Sequence, residues 1–265
     1  MRHALYVAPF AEMADPHAVV EVAVAAEEAG WDAVYLWDHV HRDPAEVTAI
    51  ADVWTCLAAA ATATDRIRIG PMVTPLSRRR ISTLVRQTTT LDHLSRGRLT
   101  MGIGLGVDTA GELTRFGEVV DPRTRAAILD EAADVLVEAW AGELVTHTGP
   151  HVTVDGIAFA PRPVQRPRVP VWAAARAGAL RPVRRAARFD GLFVIEVDTG
   201  QLGLALDEVV AVRGDLDGFD VAVRVSPLDD PALLDVPGVT WAVHSSAPDV
   251  PRAELLRLAG GGPPT

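Results

Sequence analysis

Three residues that could transfer protons or bind a metal, Asp38, His39 and His41, come directly after the short apolar run 33–37. A run of this length and composition predicts a buried strand, which would place these residues at its carboxyl end. Histidine titrates near neutral pH, so His39 is a candidate proton donor or acceptor, and a carboxylate in contact with it would raise its pKa. Successive strand residues point to opposite faces, so Asp38 and His39 would meet only if the strand ended before them.

The same residues allow two other interpretations. His39 could be a histidine that is hydrogen-bonded at the edge of the fold and does no chemistry. Asp38, His39 and His41 are also all metal-ligand types at short spacing, although no E-x-x-H, H-E-x-x-H or cysteine pair accompanies them.

A second candidate site is the glycine-rich segment GIGLG, residues 102–106, which overlaps the end of the apolar run 99–103. Glycines at the end of a strand let a flat or anionic ligand approach the backbone closely. The spacing G-x-G-x-x-G is absent, so the segment carries no nicotinamide fingerprint. A tight turn between strand and loop explains these glycines equally well.

Positive charge is concentrated in the run Arg78, Arg79 and Arg80, which follows Thr74-Pro75. This run could bind an anionic ligand or lie in solvent outside the next helix. The sequence contains no lysine, which excludes Schiff-base chemistry on a lysine side chain.

Strand-like and helix-like segments alternate along the chain, and the region 62–117 shows the pattern most clearly. There, the apolar runs 67–73 and 99–103 flank a helical pattern over 81–94, as in a strand–helix–strand unit. Right-handed crossovers and a count of eight units favour a closed (β/α)8 TIM barrel over an open sheet. The count reaches eight only if residues 231–235 form a very short helix.

The length of 265 residues fits one barrel, for which ~250 is typical, and predicts a single domain over residues 1–259. The proline-rich region 142–170 follows the fourth predicted helix, 122–140, and contains the alternating Val152-Thr153-Val154. It predicts an insertion made of a hairpin and an extended crossing segment. The tail GGGPPT, residues 260–265, predicts disorder.

Composition limits the possible partners and location. A net charge of −10 and a pI of about 5.2 argue against nucleic-acid binding. No apolar run reaches the ~20 residues of a membrane span, and no long apolar signal segment opens the chain, so we expect a cytoplasmic protein. The single cysteine, Cys56, cannot form an internal disulfide and is expected to be a buried small side chain.

Several segments together resemble the bacterial luciferase-like family of flavin-dependent oxidoreductases, which includes enzymes that use the deazaflavin coenzyme F-420. In chain order they are EEAGWDAVYLWDHV, RIRIGPMVTP, LDHLSRGRL, GIGLG followed by FG, ILDEAADVLVEAWAGE, FAPRPVQRPRVPVW and RRAARFDGLF. The resemblance covers about three quarters of the chain. It implies a TIM barrel that binds reduced FMN or reduced F-420 at its carboxyl end and acts on a small organic substrate. It also implies a homodimer and a separate flavin reductase as a possible partner.

The resemblance also assigns site residues. His39 corresponds to a position that lines the flavin cavity and is the candidate catalytic residue. Where Met72-Val73-Thr74 stands, the family often carries a non-proline cis peptide against the flavin ring. The other cofactor-binding candidates on this side of the barrel are Asp38, Gly104, Leu105 and Gly106.

A further segment matches the place where the family's backbone amides hold the cofactor phosphate. Its candidate residues are Ala175, Arg176, Ala177, Gly178 and Arg181. Many relatives have two glycines where this chain has alanines. In some deazaflavin-dependent relatives a glutamate just after the glycine segment donates a proton; here Val107 occupies that position, and Glu112 stands five residues later.

The function predicted is that of a luciferase-like oxidoreductase, either a monooxygenase using reduced FMN or an F-420-dependent enzyme. Two alternatives stay open at this point. One is a barrel that has lost catalysis and serves as a binding or partner subunit, and the other is a metal-dependent barrel hydrolase using His39 and His41.

Overall fold

The computed structural model describes residues 1–42, 45, 47–176 and 178–264. Its strands are β1 (Arg2–Val7), β2 (Ala33–Leu36), β3 (Arg68–Pro71), β4 (Thr74–Pro75), β5 (Met101–Gly104), β6 (Leu144–Thr148), β7 (Thr153–Ala158), β8 (Val171–Arg176), β9 (Gly191–Ile195), β10 (Asp220–Val225) and β11 (Trp241–Ser245). Its α-helices are α1 (Pro16–Glu28), α2 (Val53–Ala63), α3 (Ile81–Leu94), α4 (Pro122–Trp140), α5 (Leu180–Ala186), α6 (Thr199–Arg213) and α7 (Arg252–Gly260). Short 3-10 helices span Ala11–Ala14, Leu76–Arg78, Thr114–Phe116 and Pro231–Asp235.

Nine strands form one parallel sheet in the order β3-β2-β1-β11-β10-β9-β8-β5-β4. Because β4 continues the path of β3 after Met72 and Val73, the two act as one barrel strand. The ring is closed where β4 pairs with β5 and where Ile69 of β3 bridges to Leu99 just before β5. The result is an eight-membered parallel ring, which confirms the predicted (β/α)8 barrel.

Helices occupy every connection between successive barrel strands, including the very short one expected before the last strand. That seventh helix is the 3-10 turn Pro231–Asp235, capped by the side chain of Asp230. Aspartates also cap α1, α4 and α6, as their preference for helix N-termini predicts. The second helix begins at Val53, because the Asp52 carboxylate accepts the backbone N–H of Thr55 and starts the helix there.

Two cores hold the barrel together. The larger core lies between the strands and the surrounding helices. The smaller core fills the ring itself and includes Tyr35, Met72, Trp172, Phe193 and Trp241. The barrel interior is therefore packed with side chains, and the part-buried apolar groups that pack on this smaller core, among the described residues, lie at its carboxyl end.

The insertion after α4 contains the predicted hairpin, formed by antiparallel β6 and β7. The Glu131 carboxylate of α4 holds it by accepting the backbone N–H groups of His151 and Val152 and a hydrogen bond with His147. None of the described helices combines the length and apolar character needed to cross a bilayer. The domain boundaries at 259 and the disordered tail stay predictions; α7 itself includes Gly260.

Candidate functional site

The carboxyl end of the barrel presents a part-buried apolar surface. Four part-buried side chains pack on the smaller core from this end: Tyr6, Val73, Ala174 and Ile195. The Tyr6 ring lies 5.1 Å from that of Trp37 and 5.6 Å from that of Phe193, measured between centroids. We call this end of the barrel the mouth, and catalytic residues of parallel barrels lie there.

His39 stands beside the mouth and is paired with Glu112. Its Nδ1 lies 2.8 Å from Glu112 Oε2, and the His39 ring contacts those of Phe10 and Trp37 at centroid distances of 5.8 Å. Since Nδ1 is engaged with a carboxylate, Nε2 is the nitrogen that a ligand would meet. The imidazole is 30% exposed and therefore reachable, whereas the Glu112 side chain is only 4% exposed.

Glu112 is held as a carboxylate. Burial by itself raises the pKa of this group, but the hydrogen bond and charge of His39, the backbone N–H of Val40 and the charge of Arg78 outweigh burial and lower it to about 2. The Val40 N–H donates to Oε1 at 2.6 Å and the His41 N–H at 3.2 Å. At neutral pH Glu112 is consequently a hydrogen-bond acceptor and not a proton donor.

Arg78 links this pair to Asp38. Its Nη1 donates to Glu112 Oε1 at 3.1 Å, while Nη2 donates to the Asp38 carbonyl at 3.0 Å and to Asp38 Oδ1 at 3.2 Å. Arg79 also donates to Asp38, and Thr74 Oγ1 donates to Asp38 Oδ2 at 2.9 Å. Asp38 and His39 therefore have different partners, even though β2 ends at Leu36 before either residue. We call this group of residues, Asp38, His39, Thr74, Arg78, Arg79 and Glu112, the charged cluster.

The peptide bond between Met72 and Val73 is cis, as the family resemblance implied. Gly104 approaches this segment so closely that a Cβ on it would lie 2.3 Å from Val73 Cγ2. That Cβ would also lie 3.8 Å from the Cβ of Ala174. A side chain at 104 would force Val73 to move, so glycine allows β5 to pack closely against the Met72–Thr74 segment at the mouth.

The loop after β5 is fixed by Arg125, a buried residue of α4. Its Nη1 donates to the carbonyls of Leu105 and Gly106, both at 3.0 Å, and its Nε donates to the Val120 carbonyl at 3.3 Å. Gly106 has φ +73°, which a side chain would disfavour. The carbonyls of Leu105 and Gly106 are thus bound by the protein itself.

The predicted phosphate segment follows β8, which β5 separates from β4 in the strand order. The Ala175 side chain belongs to the larger core, between strands and helices. Arg176 Nη1 lies 3.4 Å from Glu196 Oε2. Gly178 has φ +69°. Arg181 is exposed on α5, a helix of seven residues. Ala177 lies outside the described residues.

Glu112 and Arg125 are the main site residues that sequence reasoning missed. Glu112 was set aside because it stands five residues beyond the expected position. The Asp108 carboxylate accepts the backbone N–H groups of Leu113 and Thr114 and so folds the loop 108–114 back toward β2. This fold of the loop brings Glu112 to His39. An aspartate three residues before Gly111 was the available signal of this turn.

Two surface hollows lie elsewhere. One of about 380 Å³ lies between α2 and α3, and one of about 320 Å³ lies beside α4. Both lie on the outside of the barrel, away from the mouth. The pair of His39 and Glu112 lies at the carboxyl end of the barrel, where parallel barrels carry their catalytic residues, so we take the mouth as the candidate site.

A model of the family described as luciferase-like monooxygenase matches residues 3–228. The chain belongs to this family. The match confirms the resemblance inferred from the sequence and, with it, the predicted class of flavin- or deazaflavin-dependent oxidoreductase.

Relatives and solved structures agree with this family. An F420-dependent glucose-6-phosphate dehydrogenase of Microbacterium testaceum is 30% identical over 84% of this chain and 68% of its own. An uncharacterized protein of Mycobacterium tuberculosis is 31% identical over 88% of this chain and 90% of its own. A monooxygenase of Streptomyces bottropensis shares the fold of this luciferase-like protein, with a TM-score of 0.79, 19% identity and coverage of 98% and 96% of the two chains. So does an F420-dependent secondary alcohol dehydrogenase in complex with an F420-acetone adduct, with a TM-score of 0.74, 20% identity and coverage of 97% and 81%.

Proposed function

We propose that this protein binds reduced FMN or reduced F-420 at the mouth and oxidises or reduces a small organic substrate there. The observation that supports this most is the charged cluster beside the Val73–Gly104 contact, since it combines a reachable imidazole with a close-packed apolar surface. The reaction is monooxygenation if the cofactor is reduced FMN, with dioxygen as the co-substrate that supplies the oxygen atom, and hydride transfer to the substrate if the cofactor is reduced F-420.

The residues at the mouth suit such a cofactor. Val73, Ala174 and Ile195 offer apolar surface to a planar ring. Trp37 Nε1 and His41 Nε2 are buried and have no hydrogen-bond partner among the described residues. Buried polar atoms of this kind are normally satisfied by a ligand or by water, and a ring bearing carbonyl and nitrogen groups can supply partners for both.

The bound cofactor supplies the electron pair for the reaction. His39 would accept or donate a proton at Nε2, while its Nδ1 stays hydrogen-bonded to the Glu112 carboxylate. Arg78 and the two backbone N–H groups hold that carboxylate in place, so the imidazole is oriented before the ligand arrives. The aromatic groups around His39 keep water from this side of the mouth.

The phosphate of the cofactor is assigned, in this proposal, to the segment after β8. Backbone N–H groups at 175–178 and the charges of Arg176 and Arg181 would hold it. We also propose that the backbone of Leu105 and Gly106 contacts the cofactor. Asp38, Met72 and Thr74 would lie behind the cofactor and support its site.

Reducing equivalents would arrive on the cofactor from a separate flavin reductase, since no nicotinamide fingerprint is present. We also propose a homodimer in the cytoplasm. Burial raises the pKa of the Cys56 thiol to about 11, so this buried cysteine is a poor nucleophile and has no role in the proposed reaction.

The deciding experiment is equilibrium binding of FMN and F-420, each oxidised and reduced, to wild type, His39→Ala and the control His17→Ala. We expect wild type to bind one reduced cofactor, His39→Ala to bind it about tenfold more weakly, and the exposed His17 variant to match wild type. Binding of both cofactors with equal affinity in all three proteins would contradict the assigned site. Copurification of a partner chain without cofactor binding would favour the partner-subunit alternative.

A further inference from the structure

We propose that Arg224 binds an anionic group of the substrate, a carboxylate or a phosphate, at the mouth. This inference rests on the proposed function, because it takes the mouth as the place where the substrate reacts. It names the charge of the substrate, which the charged cluster does not specify.

The position of Arg224 follows from strand alternation. It lies on β10, two residues after Ala222, whose side chain belongs to the core inside the ring. Residues two apart on a strand share a face, so Arg224 points to the inside one step nearer the carboxyl end. In the strand order, β10 stands four places from β3. In a ring of eight that is the opposite side, so Arg224 faces the Met72–Thr74 segment across the mouth.

The guanidinium of Arg224 is incompletely bound by the protein. Its Nη2 lies 3.9 Å from Asp229 Oδ2, which is an ion pair beyond hydrogen-bond distance. That same oxygen accepts the Ser226 N–H at 2.7 Å. Arg224 Nε is buried and has no hydrogen-bond partner within the part of the chain that the structure describes. The side chain is 26% exposed, so a ligand in the mouth can reach it.

The surroundings of Arg224 suit an anion carried on an apolar body. Tyr6 packs on Trp37 and Phe193 and forms an aromatic surface within the mouth. Burial raises the pKa of the Tyr6 phenol, and the nearby positive charge of Arg224 opposes that rise, which indicates that the two groups are close. The phenol consequently stays neutral and leaves the charge of Arg224 for a ligand.

The two arginines of the charged cluster already bind carboxylates. Arg78 and Arg79 bind Asp38, and Arg78 also binds Glu112. The phosphate of the cofactor is a second possible anion for Arg224. The substrate is favoured because the phosphate segment follows β8, and because a ring against Val73 would present its free face toward β10.

The test uses the full chain saturated with whichever cofactor it binds, and measures calorimetric binding of inorganic phosphate and of acetate. The variants are Arg224→Gln, Arg224→Lys and the control Arg184→Gln, which removes an exposed arginine that pairs with Glu208 on the outer helices. We expect Arg224→Gln to weaken binding of at least one anion by about tenfold, the lysine variant to lose less, and the control to match wild type. Affinity for FMN and F-420 should change less than twofold in Arg224→Gln.

Three results would overturn the inference. The first is equal anion affinity in wild type and Arg224→Gln, and the second is a wild-type protein that binds neither anion. The third is weaker binding of FMN but unchanged binding of riboflavin in Arg224→Gln, which would assign the residue to the cofactor phosphate. If wild type binds anions through Arg224 but binds no cofactor, the proposed function fails while the anion site stands.

A measurement on the wild-type protein covers the case in which Arg224→Gln does not fold. Phenylglyoxal modifies accessible arginines, and peptide mass spectrometry reports the rate at each one. Phosphate should slow modification of Arg224 and leave that of Arg184 unchanged. Equal rates at Arg224 with and without phosphate would contradict the inference.

Discussion

At the scale of single residues, the side chain that organises the mouth is the carboxylate of Glu112. The sequence pattern did not identify it as a site residue. The Glu112 carboxylate is hydrogen-bonded to His39, Arg78 and two backbone N–H groups at the same time. A buried charge with this many donors is favourable only while all of them are present. His39 therefore depends on a loop 73 residues away in the chain.

This dependence predicts a pH-dependent cost for Glu112→Gln. The pKa of Glu112 is about 2 in the folded protein, below the ordinary 4.5 of the unfolded chain. Such a group stabilises the fold above its unfolded pKa, and the stabilisation is lost as pH falls through the folded pKa. We expect Glu112→Gln to lower the free energy of unfolding by about 2 kcal/mol at pH 7.

Urea unfolding of wild type and Glu112→Gln across pH 7 to 2.5 measures the effect, and the difference should shrink below pH 4.5. The exposed Glu138 on α4 provides the control, since Glu138→Gln should change stability by less than about 0.5 kcal/mol. A difference between wild type and Glu112→Gln that stays constant over this pH range would contradict the assignment.

At the scale of elements, a buried arginine joins the end of α2 to the strand that follows α3. All five N–H donors of Arg98 are used: Nε reaches the Ser95 carbonyl, Nη1 the hydroxyl of Thr64 and the carbonyl of Ile67, and Nη2 the carbonyls of Ala61 and Thr64. These include free carbonyls at the C-terminal end of α2, where a positive charge is favourable. Burial lowers the pKa of Arg98, though it stays charged at neutral pH.

Arg98→Lys keeps the charge but has three donors on one atom and cannot reach five acceptors. We expect it to lower the free energy of unfolding by about 2 to 3 kcal/mol, because at least two carbonyls would lose their donor in a buried place. Thermal and urea unfolding measure this. Arg96→Lys is the matched control two residues away, since Arg96 pairs with Asp65 in solvent; similar losses in the two variants would refute the explanation.

At the scale of the whole molecule, the first and last strands meet at β1 and β11, and a histidine pair lies across that junction. His3 Nδ1 lies 3.0 Å from His244 Nε2, and the rings stack at 5.3 Å. Trp31 packs edge-on against His244 and donates to the Ala259 carbonyl of α7. Burial, and then the charge of His3, lowers the pKa of His244 to about 4.

Because the unfolded chain binds the His244 proton near pH 6.5 and the folded chain resists it to about 4, stability should fall as pH decreases between these values. We expect this site to contribute a loss of about 1 to 2 kcal/mol, reduced by solvent screening because the pair is half-exposed. Urea unfolding at pH 7, 5.5 and 4.5 should show a shallower pH dependence for His244→Asn than for wild type. The exposed His17→Asn should follow wild type, and identical slopes in all three proteins would disprove the link.

The elements of the barrel could be read from the sequence because their signals are local. The helix 122–140 was predicted with both ends correct, and the short helix 231–235 that completes the eight units was also found. Apolar periodicity and capping residues depend only on near neighbours in the chain, so they survive without tertiary information.

The sequence by itself determined the family, the barrel and the location of Asp38 and His39 at the end of a strand. Only the tertiary structure decided which side chains meet there: Glu112 and not Asp38 pairs with His39, Arg78 and Arg79 are neutralised by carboxylates, and Arg224 faces the mouth from the opposite side. The physical reason is that strand and helix formation is set by residues a few positions apart, whereas an ion pair is set by where loops fold back across the ring. That closure depends on turns and long-range contacts that no local pattern records.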